Sequence, residues 1–320
     1  MNKNILTYLV VILVVAGIIV LGFFMIKPDH IAKSDNPYAL GLDSLGEIPD
    51  EMYCTSEYAA INLEGTETHA IAVDNADRIV VSVDKSIFFY QQDGTVISSF
   101  ETDTTASALA CFEDLIIACF HHKIVIFSEK GQIIKSWELK NKKGSITSVA
   151  VRSNQIYVAD AADALVYAYD FNGNHTKTFG QKADKKDLSF FFLPSFYFDV
   201  AIGEEETIWI ANTGRHKLVQ MNEEAEIVSH WGETSSAVTG FCGCCNPSNF
   251  AILSDGSFIT AEKGIVRVKK YSKAGKLECV IAGPAAFVDD SKGLDIAVDA
   301  QDWIYILEPE GMKIHMYDIN

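Results

Sequence analysis

The cysteine-rich stretch FCGCCNP at residues 241–247 is the part of this sequence best suited to chemistry. It holds Cys242, Cys244 and Cys245, three of the seven cysteines in the chain. Four interpretations are open: a disulfide from Cys242 or Cys244 to Cys54 in an oxidising compartment, a thiolate site for a metal or redox cofactor, a reactive thiol, or loop packing. Thiolate metal sites usually take four soft or nitrogen ligands, so three cysteines would need a further ligand. The histidines that could supply it are His121, His122, His216 and His230.

An adjacent glutamate and lysine, Glu262 and Lys263, follow the cysteine stretch in the chain. They would either form a surface ion pair worth under about 1 kcal/mol or orient a ligand. Catalytic carboxylates cannot be selected among 43 acidic residues, and no Ser-His-Asp arrangement or phosphate-binding glycine loop is recognisable, so no enzymatic role is assigned. The candidates for a binding face are Cys242, Cys244, Cys245, Asn246, Glu262, Lys263, Arg267, Asn212, Arg215 and His216. The candidates for a metal ion at the cysteine loop are Cys242, Cys244, Cys245, His121 and His122.

The composition argues for a folded domain and against a nucleic-acid partner. The chain has 320 residues, of which 48% are hydrophobic, so it can bury a sizeable core. Its formal net charge of −17 would repel phosphate backbones, and no stripe of lysine or arginine offsets it.

The first residues of the chain predict a membrane anchor. Ile5–Ile26 is free of charged residues and long enough to cross a hydrocarbon core of about 30 Å as a helix. No small-residue cleavage pattern comes after it, which favours an uncleaved, single-pass signal anchor over a cleaved signal peptide. Lys3 lies before the segment and Lys27 and Lys33 lie after it, so the charge count hardly decides the orientation. Because anchors at the extreme N-terminus commonly export the domain attached to them, we expect the rest of the chain outside the cytoplasm, periplasmic or extracellular. Residues 27–55 are rich in proline and glycine and predict a tether.

A repeated unit fills the remainder, residues 56–320. Each copy contains short apolar runs separated by turn signals, and an alanine in its first run marks the register. These alanines are Ala72, Ala110, Ala150, Ala201, Ala251 and Ala297. Such spacing is typical of blades of four strands. We therefore predict an all-β fold, a six-bladed β-propeller of four-stranded antiparallel blades, preceded by one N-terminal transmembrane helix.

Two local features complete this prediction. Gly94, Gly131, Gly173 and Gly275 fall between the third and fourth strands of their copies, where a hairpin turn needs positive φ. The sixth copy ends after its third strand, so the segment SEYAAINLEG at 56–65 is expected to close the ring as its outermost strand.

The topology of a four-stranded meander decides which loops share a face. The loop between strands two and three opens on the same face as the connection to the next blade. Residues 187–196, 233–248 and 287–293 are the longest of these loops and are expected on that face. The aromatic cluster at 190–198 is interpreted either as blade packing or as an exposed apolar patch.

The copies resemble NHL repeats, on the evidence of IYVADAADALVYAYDFNG at 156–173 and IWIANTGRHKLVQM at 208–221. The Gly-Cys-Cys-Asn-Pro loop, followed by Glu-Lys-Gly and an Arg-Val-Lys strand, is similar to uncharacterised membrane-anchored bacterial proteins of this type. The resemblance implies the six-bladed fold. It leaves the activity open, because the family includes peptide and protein binders, RNA binders, sensor domains and a metal-dependent lyase.

Three hypotheses for the function result. The first is a membrane-tethered, extracytoplasmic binding or scaffold module for a protein or peptide partner. The second is a metal- or redox-handling protein that uses the Cys242–Cys245 loop. The third is a metal-dependent lyase or hydrolase with its site at the central channel.

Overall fold

The computed structural model describes residues 47–180, 190–204 and 207–319. In these ranges it contains 24 strands in six four-stranded antiparallel sheets, which confirms the predicted six-bladed propeller. The predicted anchor Ile5–Ile26, most of the predicted tether and residues 181–189 lie outside the described ranges. Within those ranges, no helix has the length and apolar character needed to span a membrane.

Each blade is a meander whose strands follow one another from the channel outwards. Blade one contains β2 (Thr68–Val73), β3 (Ile79–Val83), β4 (Ser86–Tyr90) and β5 (Val96–Glu101). Blade two contains β6 (Ala108–Phe112), β7 (Leu115–Phe120), β8 (Lys123–Ser128) and β9 (Ile133–Glu138). Blade three contains β10 (Ile146–Arg152), β11 (Gln155–Asp160), β12 (Leu165–Asp170) and β13 (His175–Phe179). Blade four contains β14 (Val200–Ile202), β15 (Ile208–Asn212), β16 (Lys217–Met221) and β17 (Ile227–Trp231). Blade five contains β18 (Asn249–Ile252), β19 (Phe258–Glu262), β20 (Arg267–Tyr271) and β21 (Leu277–Ala282). Blade six contains β22 (Asp295–Val298), β23 (Ile304–Glu308), β24 (Lys313–Tyr317) and, outermost, β1 (Glu57–Asn62). Short 3₁₀ helices cover Asp50–Met52, Thr213–Arg215 and Pro284–Ala286.

The ring closes as predicted, because β1 pairs antiparallel with β24. The residues just before β1 also attach to blade five. Tyr53 forms a parallel bridge with Val280, and Cys54 is disulfide-bonded to Cys279 of β21. The prediction that Cys54 pairs with Cys242 or Cys244 is therefore wrong: the bridge to Val280 places Cys54 beside the outermost strand of blade five, with its Cα 5.7 Å from that of Cys279.

Small residues let the six innermost strands surround a narrow channel. The register alanines Ala72, Ala110, Ala150, Ala201, Ala251 and Ala297 all line it. The channel has a volume of about 270 Å³. At the four predicted hairpin turns, Gly94, Gly131, Gly173 and Gly275 all have positive φ, as expected. At Gly275 a side chain is also excluded by space, because a Cβ would lie 2.5 Å from Cγ of Trp231.

Polar side chains join four successive pairs of innermost strands. Two positions before the register alanine, four consecutive blades carry a polar residue, namely Ser148, Asp199, Asn249 and Asp295. Each accepts a hydrogen bond from a backbone N–H of the next blade; Asp199 Oδ2 accepts from Phe250 at 2.7 Å and Asp295 Oδ2 from Ile71 at 2.9 Å. Burial raises the pKa of Asp199 to about 7 and that of Asp295 to about 6.

The hydrophobic core lies between neighbouring blades. The boundary between blades four and five is aromatic: the ring of Trp231 lies 5.0 Å from Phe258 and 4.9 Å from Tyr271. Phe241 completes this cluster and is fully buried. Because Cys242 follows Phe241 directly, the interblade core holds the start of the cysteine loop in place.

Candidate functional site

The cysteine loop connects β17 of blade four to β18 of blade five. It opens on the face that carries the connections between blades and the loops between second and third strands, which we call the loop face. Before the cysteines, the backbone of Phe241 donates to the carbonyl of Glu233 at 2.8 Å and accepts from Ser235 at 3.1 Å. Residues 233–241 thus form a small closed turn, and Cys242 lies directly after it on the loop face.

Asn246 fixes the other end of the loop. Its side chain is buried and donates to the carbonyls of Cys242 and, at 3.0 Å, Lys263. Its Oδ1 accepts from the backbone N–H of Lys263 at 2.9 Å. The amide therefore ties the cysteine loop to the loop between β19 and β20 of the same blade, and both its oxygen and its nitrogen are used.

His216 holds the middle of the loop from blade four. Its Nε2 donates to the carbonyl of Gly243 at 2.6 Å, which places the ring hydrogen on Nε2, since a carbonyl only accepts. Nδ1 is hydrogen-bonded to the hydroxyl of Thr234 at 2.6 Å. Both ring nitrogens are engaged, so in this arrangement His216 supports the loop and does not ligate a metal with the cysteines.

The three thiols of the loop differ in exposure. Cys244 is exposed, Cys242 is partly buried and Cys245 is fully buried, and none is disulfide-bonded. The sulfurs of Cys244 and Cys245 lie 3.0 Å apart. Burial and the adjacent Cys244 thiol raise the pKa of Cys245, and the hydroxyl of Ser195 and the charge of Lys263 oppose that rise.

Beneath the loop lies a buried cluster of charges. Arg267 Nε contacts Glu262 Oε2 at 2.5 Å, Lys269 Nζ lies 3.3 Å from Glu262 Oε1, and all three side chains are inaccessible to solvent. The interpretation of Glu262 as half of a surface ion pair with Lys263 is therefore wrong. The strand β20 turns Arg267 and Lys269 to the same side, towards blade four, because side chains alternate along a strand.

Lys269 uses its remaining donors on the approach to the cysteine loop. Nζ donates to the carbonyls of Val238 at 3.0 Å and Gly240 at 2.8 Å, and it lies 4.8 Å from the ring centre of Phe241. Burial, only partly offset by Glu262, lowers the pKa of Lys269 to about 8. This lysine was not among the predicted site residues, although it is on the same side of β20 as Arg267.

Buried polar residues support other loops of this face in the same way. Asn212, at the end of β15, accepts from the backbone N–H of Phe192 at 2.9 Å and donates to the carbonyl of Phe190 at 3.1 Å. Glu308, at the end of β23, accepts from the backbone N–H of Val288 at 2.7 Å. Of the predicted binding-face residues, those that are buried and support the face are Asn212, His216, Cys245, Asn246, Glu262 and Arg267. Those that reach solvent are Cys242, Cys244, Lys263 and Arg215.

The structure does not bring the predicted histidine pair to the cysteines. His121 and His122 lie between β7 and β8 of blade two, whereas the cysteine loop connects blades four and five. His122 Nε2 instead lies 4.0 Å from Glu138 Oε1. In the described ranges, no group of three or more His, Cys, Asp and Glu side chains is arranged to hold a metal ion. A metal ion at the cysteine loop stays a prediction.

Exposed apolar side chains lie on the two inter-blade loops that flank the cysteine loop. The aromatic cluster at 190–198 divides: Phe191 and Phe198 are core residues, whereas Phe192 is 51% and Phe196 is 66% exposed. Val288, from the next long loop, is 44% exposed. We call Phe192, Phe196 and Val288 the apolar patch.

Contacts through the adjoining residues connect the patch to the cysteines. Lys263 Nζ lies 4.7 Å from the ring centre of Tyr197, and Tyr197 borders Gly293 of the loop that carries Val288. Ser195, next to Phe196 in the chain, faces the thiol of Cys245. The patch and the cysteine loop are therefore parts of one surface.

Comparison with known proteins supports the fold alone. No protein-family model matches the chain, and no curated protein matches it, so the resemblance to NHL repeats stays a prediction. Among solved structures, a streptogramin B lyase is similar with a TM-score of 0.56 at 11% identity, covering 84% of this chain and 99% of that one. The WD40 propeller domain of Doa1 gives a TM-score of 0.55 at 12% identity over 79% of each chain. A protein of unknown function from Bacteroides caccae gives 0.53 at 16% identity over 70% of this chain and 84% of that one. The chain thus shares the β-propeller fold with these proteins, and a fold by itself does not decide function.

Proposed function

We propose that this chain is a membrane-tethered binding module that holds a protein or peptide partner on its loop face, across the sector of blades four to six. The observation that carries the proposal is the apolar patch: Phe192, Phe196 and Val288 are exposed on the loops that flank the cysteine loop, and Ser195, next to Phe196, faces Cys245. Interfaces are enriched in aromatic anchors of this kind, and a few of them usually supply most of the binding energy.

The frame under the patch suits binding. Phe192 is fixed through its backbone by Asn212, and Val288 is fixed through its backbone by Glu308. Asn246 and His216 hold the cysteine loop between them. A surface that is already ordered loses less conformational entropy on association than mobile loops would.

In the described ranges, the other exposed large apolar side chains lie elsewhere and serve as natural controls. They are on the outermost strands or the strand that closes the ring, namely Tyr58, Val96, Ile97, Ile133, Ile134 and Val228. On the loop face the apolar side chains instead adjoin Lys263, a thiol pair and a chain of supporting hydrogen bonds. A mixture of apolar anchors and polar groups is typical of a specific interface.

The tether and the compartment belong to the same proposal. The uncharged segment Ile5–Ile26 would hold the propeller at a membrane, and the Cys54–Cys279 disulfide supports an oxidising compartment outside the cytoplasm. An alkaline phosphatase fused to the C-terminus is expected to be active. Activity of a cytoplasmic reporter at the same position, with an inactive phosphatase, would reverse the orientation.

Affinity capture with matched variants tests the binding function. The full-length chain, Phe196→Ser and the control Ile133→Ser would each recover partners from membranes of the producing cells after mild crosslinking. Phe196 is 66% and Ile133 is 62% exposed, so the two changes remove similar exposed surface. We expect one partner to be recovered at least tenfold less by Phe196→Ser and unchanged by Ile133→Ser. Equal recovery by all three proteins would contradict a site on the loop face.

Thiol or metal handling by the cysteine loop is the second candidate, and the 3.0 Å separation of the Cys244 and Cys245 sulfurs favours it. The likeness to a streptogramin B lyase, at 11% identity, adds no support for a metal-dependent lyase or hydrolase with its site at the channel.

A further inference from the structure

The thiol pair of the cysteine loop has a geometry that simple loop packing does not require. Cys244 and Cys245 are neighbours in the chain, and their sulfurs lie 3.0 Å apart. That separation is about 1 Å longer than a disulfide bond of roughly 2.05 Å. One sulfur belongs to an exposed residue and the other to a fully buried one. An incoming reagent therefore meets Cys244 first, with Cys245 directly behind it.

The frame around the pair keeps the two sulfurs together. On one side, His216 holds the carbonyl of Gly243. On the other side, the Asn246 side chain holds the carbonyls of Cys242 and Lys263. The backbone on both sides of the pair is thus fixed by buried side chains from two blades. Closure of the pair requires movement of the side chains within a loop that is already braced.

The remaining cysteines are a useful contrast. Cys54 and Cys279 are already joined in a disulfide, so the fold is compatible with an oxidising compartment. Cys111 and Cys119 lie in strands of blade two, and burial raises the pKa of each thiol well above its usual range. Only the cysteine loop, among the described residues, presents an exposed thiol in contact with a second one.

We infer that Cys244 and Cys245 form a redox-active dithiol that closes to a vicinal disulfide by exchange with a small-molecule or protein disulfide. This inference goes beyond the proposed binding function and does not depend on it. The ligand class is a disulfide, R–S–S–R, which is both the oxidant and the group donor.

The exchange proceeds in two balanced steps. The thiolate of Cys244 attacks one sulfur of R–S–S–R, so a Cys244–S–S–R bond forms and one RS⁻ leaves and takes up the proton lost by Cys244. Cys245, after losing its proton to solvent or to the departing thiolate, then attacks the Cys244 sulfur and displaces the second RS⁻. Two protein thiols are oxidised, one disulfide is reduced to two RSH, and no other electron acceptor is needed.

Two polar groups, Lys263 and the hydroxyl of Ser195, border the thiol of Cys245. The charge of Lys263 and the hydroxyl of Ser195 both favour the anionic form of Cys245. Lys263 is held in place by its backbone bond to Asn246 and by its contact with the ring of Tyr197. The thiol of Cys245 therefore borders the same residues that connect the loop to the apolar patch.

Peptide mapping after treatment with oxidised glutathione tests the inference. Cleavage after lysine and arginine gives one peptide, residues 218–263, that carries Cys242, Cys244 and Cys245 and no other cysteine. The full-length protein is treated with oxidised glutathione, and its remaining thiols are blocked with N-ethylmaleimide. The mass of the peptide is then measured by mass spectrometry. We expect it to lose two of its three maleimide sites and to lack glutathione. A Cys242→Ser peptide is expected to lose both of its sites.

Single-cysteine variants separate the two steps. Cys245→Ala should stop at the mixed disulfide and retain one glutathione on Cys244, whereas Cys244→Ser should leave Cys245 blocked by maleimide only. The inference is overturned if the untreated and treated wild-type peptides carry the same three maleimides. It is also overturned if Cys242→Ser keeps both sites, because Cys242 would then be the partner. Since the Cys242→Ser result concerns an intact thiol pair, it stands even if a variant at the buried Cys245 fails to fold.

Discussion

The side chain of Asn246 and the backbone of Lys263 are hydrogen-bonded in both directions, with Nδ2 3.0 Å from the carbonyl oxygen and Oδ1 2.9 Å from the backbone nitrogen. This pair joins the cysteine loop to the loop between β19 and β20, so it determines where the thiols stand relative to Lys263. The binding surface and the thiol chemistry proposed for it therefore share one structural support.

Replacing Asn246 with alanine is expected to release the cysteine loop. Loss of the buried amide leaves the carbonyl of Lys263 and its N–H without this partner, a cost of about 1–3 kcal/mol. We expect faster hydrogen exchange at residues 242–248 and 263 and faster alkylation of Cys245. The matched control is Asn172→Ala, in an exposed turn of blade three. An unchanged alkylation rate of Cys245 in Asn246→Ala would show that other contacts hold the loop.

Replacing Cys54 with serine is expected to lower the free energy of unfolding by about 2–5 kcal/mol. The disulfide to Cys279 spans a sequence separation of 225 residues and fastens the segment that closes the ring. Urea unfolding without reductant measures the loss, and Cys279→Ser should match it. Reductant should lower the stability of the wild type to that of the variant and leave the variant unchanged. A Cys244→Ser control that lost equal stability would contradict this account.

The charge cluster beneath the cysteine loop predicts a large effect for Glu262→Gln. The change leaves Arg267 and Lys269 buried without their shared carboxylate, and removal of one member of a buried ion pair typically costs about 3–5 kcal/mol. The control is Glu278→Gln, which breaks the more exposed pair with Lys270 at 3.3 Å and should cost under about 1 kcal/mol. Chemical unfolding of both variants compares the two. Similar losses would mean that the buried cluster contributes no more than a surface pair.

The channel predicts a pH dependence of stability through Asp199. Its pKa in the folded protein is raised to about 7, from 3.8. Between these values the folded state binds more protons than the unfolded state, so the free energy of unfolding falls as pH rises. In Asp199→Asn that contribution disappears. The decrease in the free energy of unfolding between pH 5 and pH 7 should therefore be smaller, by up to a few kcal/mol. Thermal unfolding of both proteins between pH 5 and pH 7 measures this dependence. An equal change in the free energy of unfolding with pH in both proteins would contradict the raised pKa.

Much of the fold could be predicted from the sequence because it depends on local patterns that repeat. The register alanines mark the innermost strand of each blade, and all of them line the channel. The strand at 57–62 could be predicted because the last copy lacks a fourth strand. These features depend on strand length, turn residues and ring closure, which are visible along the chain.

The partner of Cys54 and the burial of the site residues depend on contacts between distant segments. Cys279 is 225 residues from Cys54, and only the course of residues 50–54 across blade five brings the two together. Arg267 was predicted on the binding face, whereas the structure buries it against Glu262. The sequence contained one indication of this burial. Arg267, Lys269 and Tyr271 occupy alternate positions along β20, so their side chains share the side that faces blade four. Both charges on that side are within reach of Glu262.

Site-specific photocrosslinking in the producing cells tests the binding surface most directly. A photoreactive phenylalanine analogue would replace Phe196 in the apolar patch or, as the control, Ile133 on the outermost strand of blade two; both residues are well exposed, at 66% and 62%. We expect a discrete protein adduct from position 196 that is absent from position 133. Adducts from position 133 alone, or the same adducts from both positions, would contradict a binding site on the loop face.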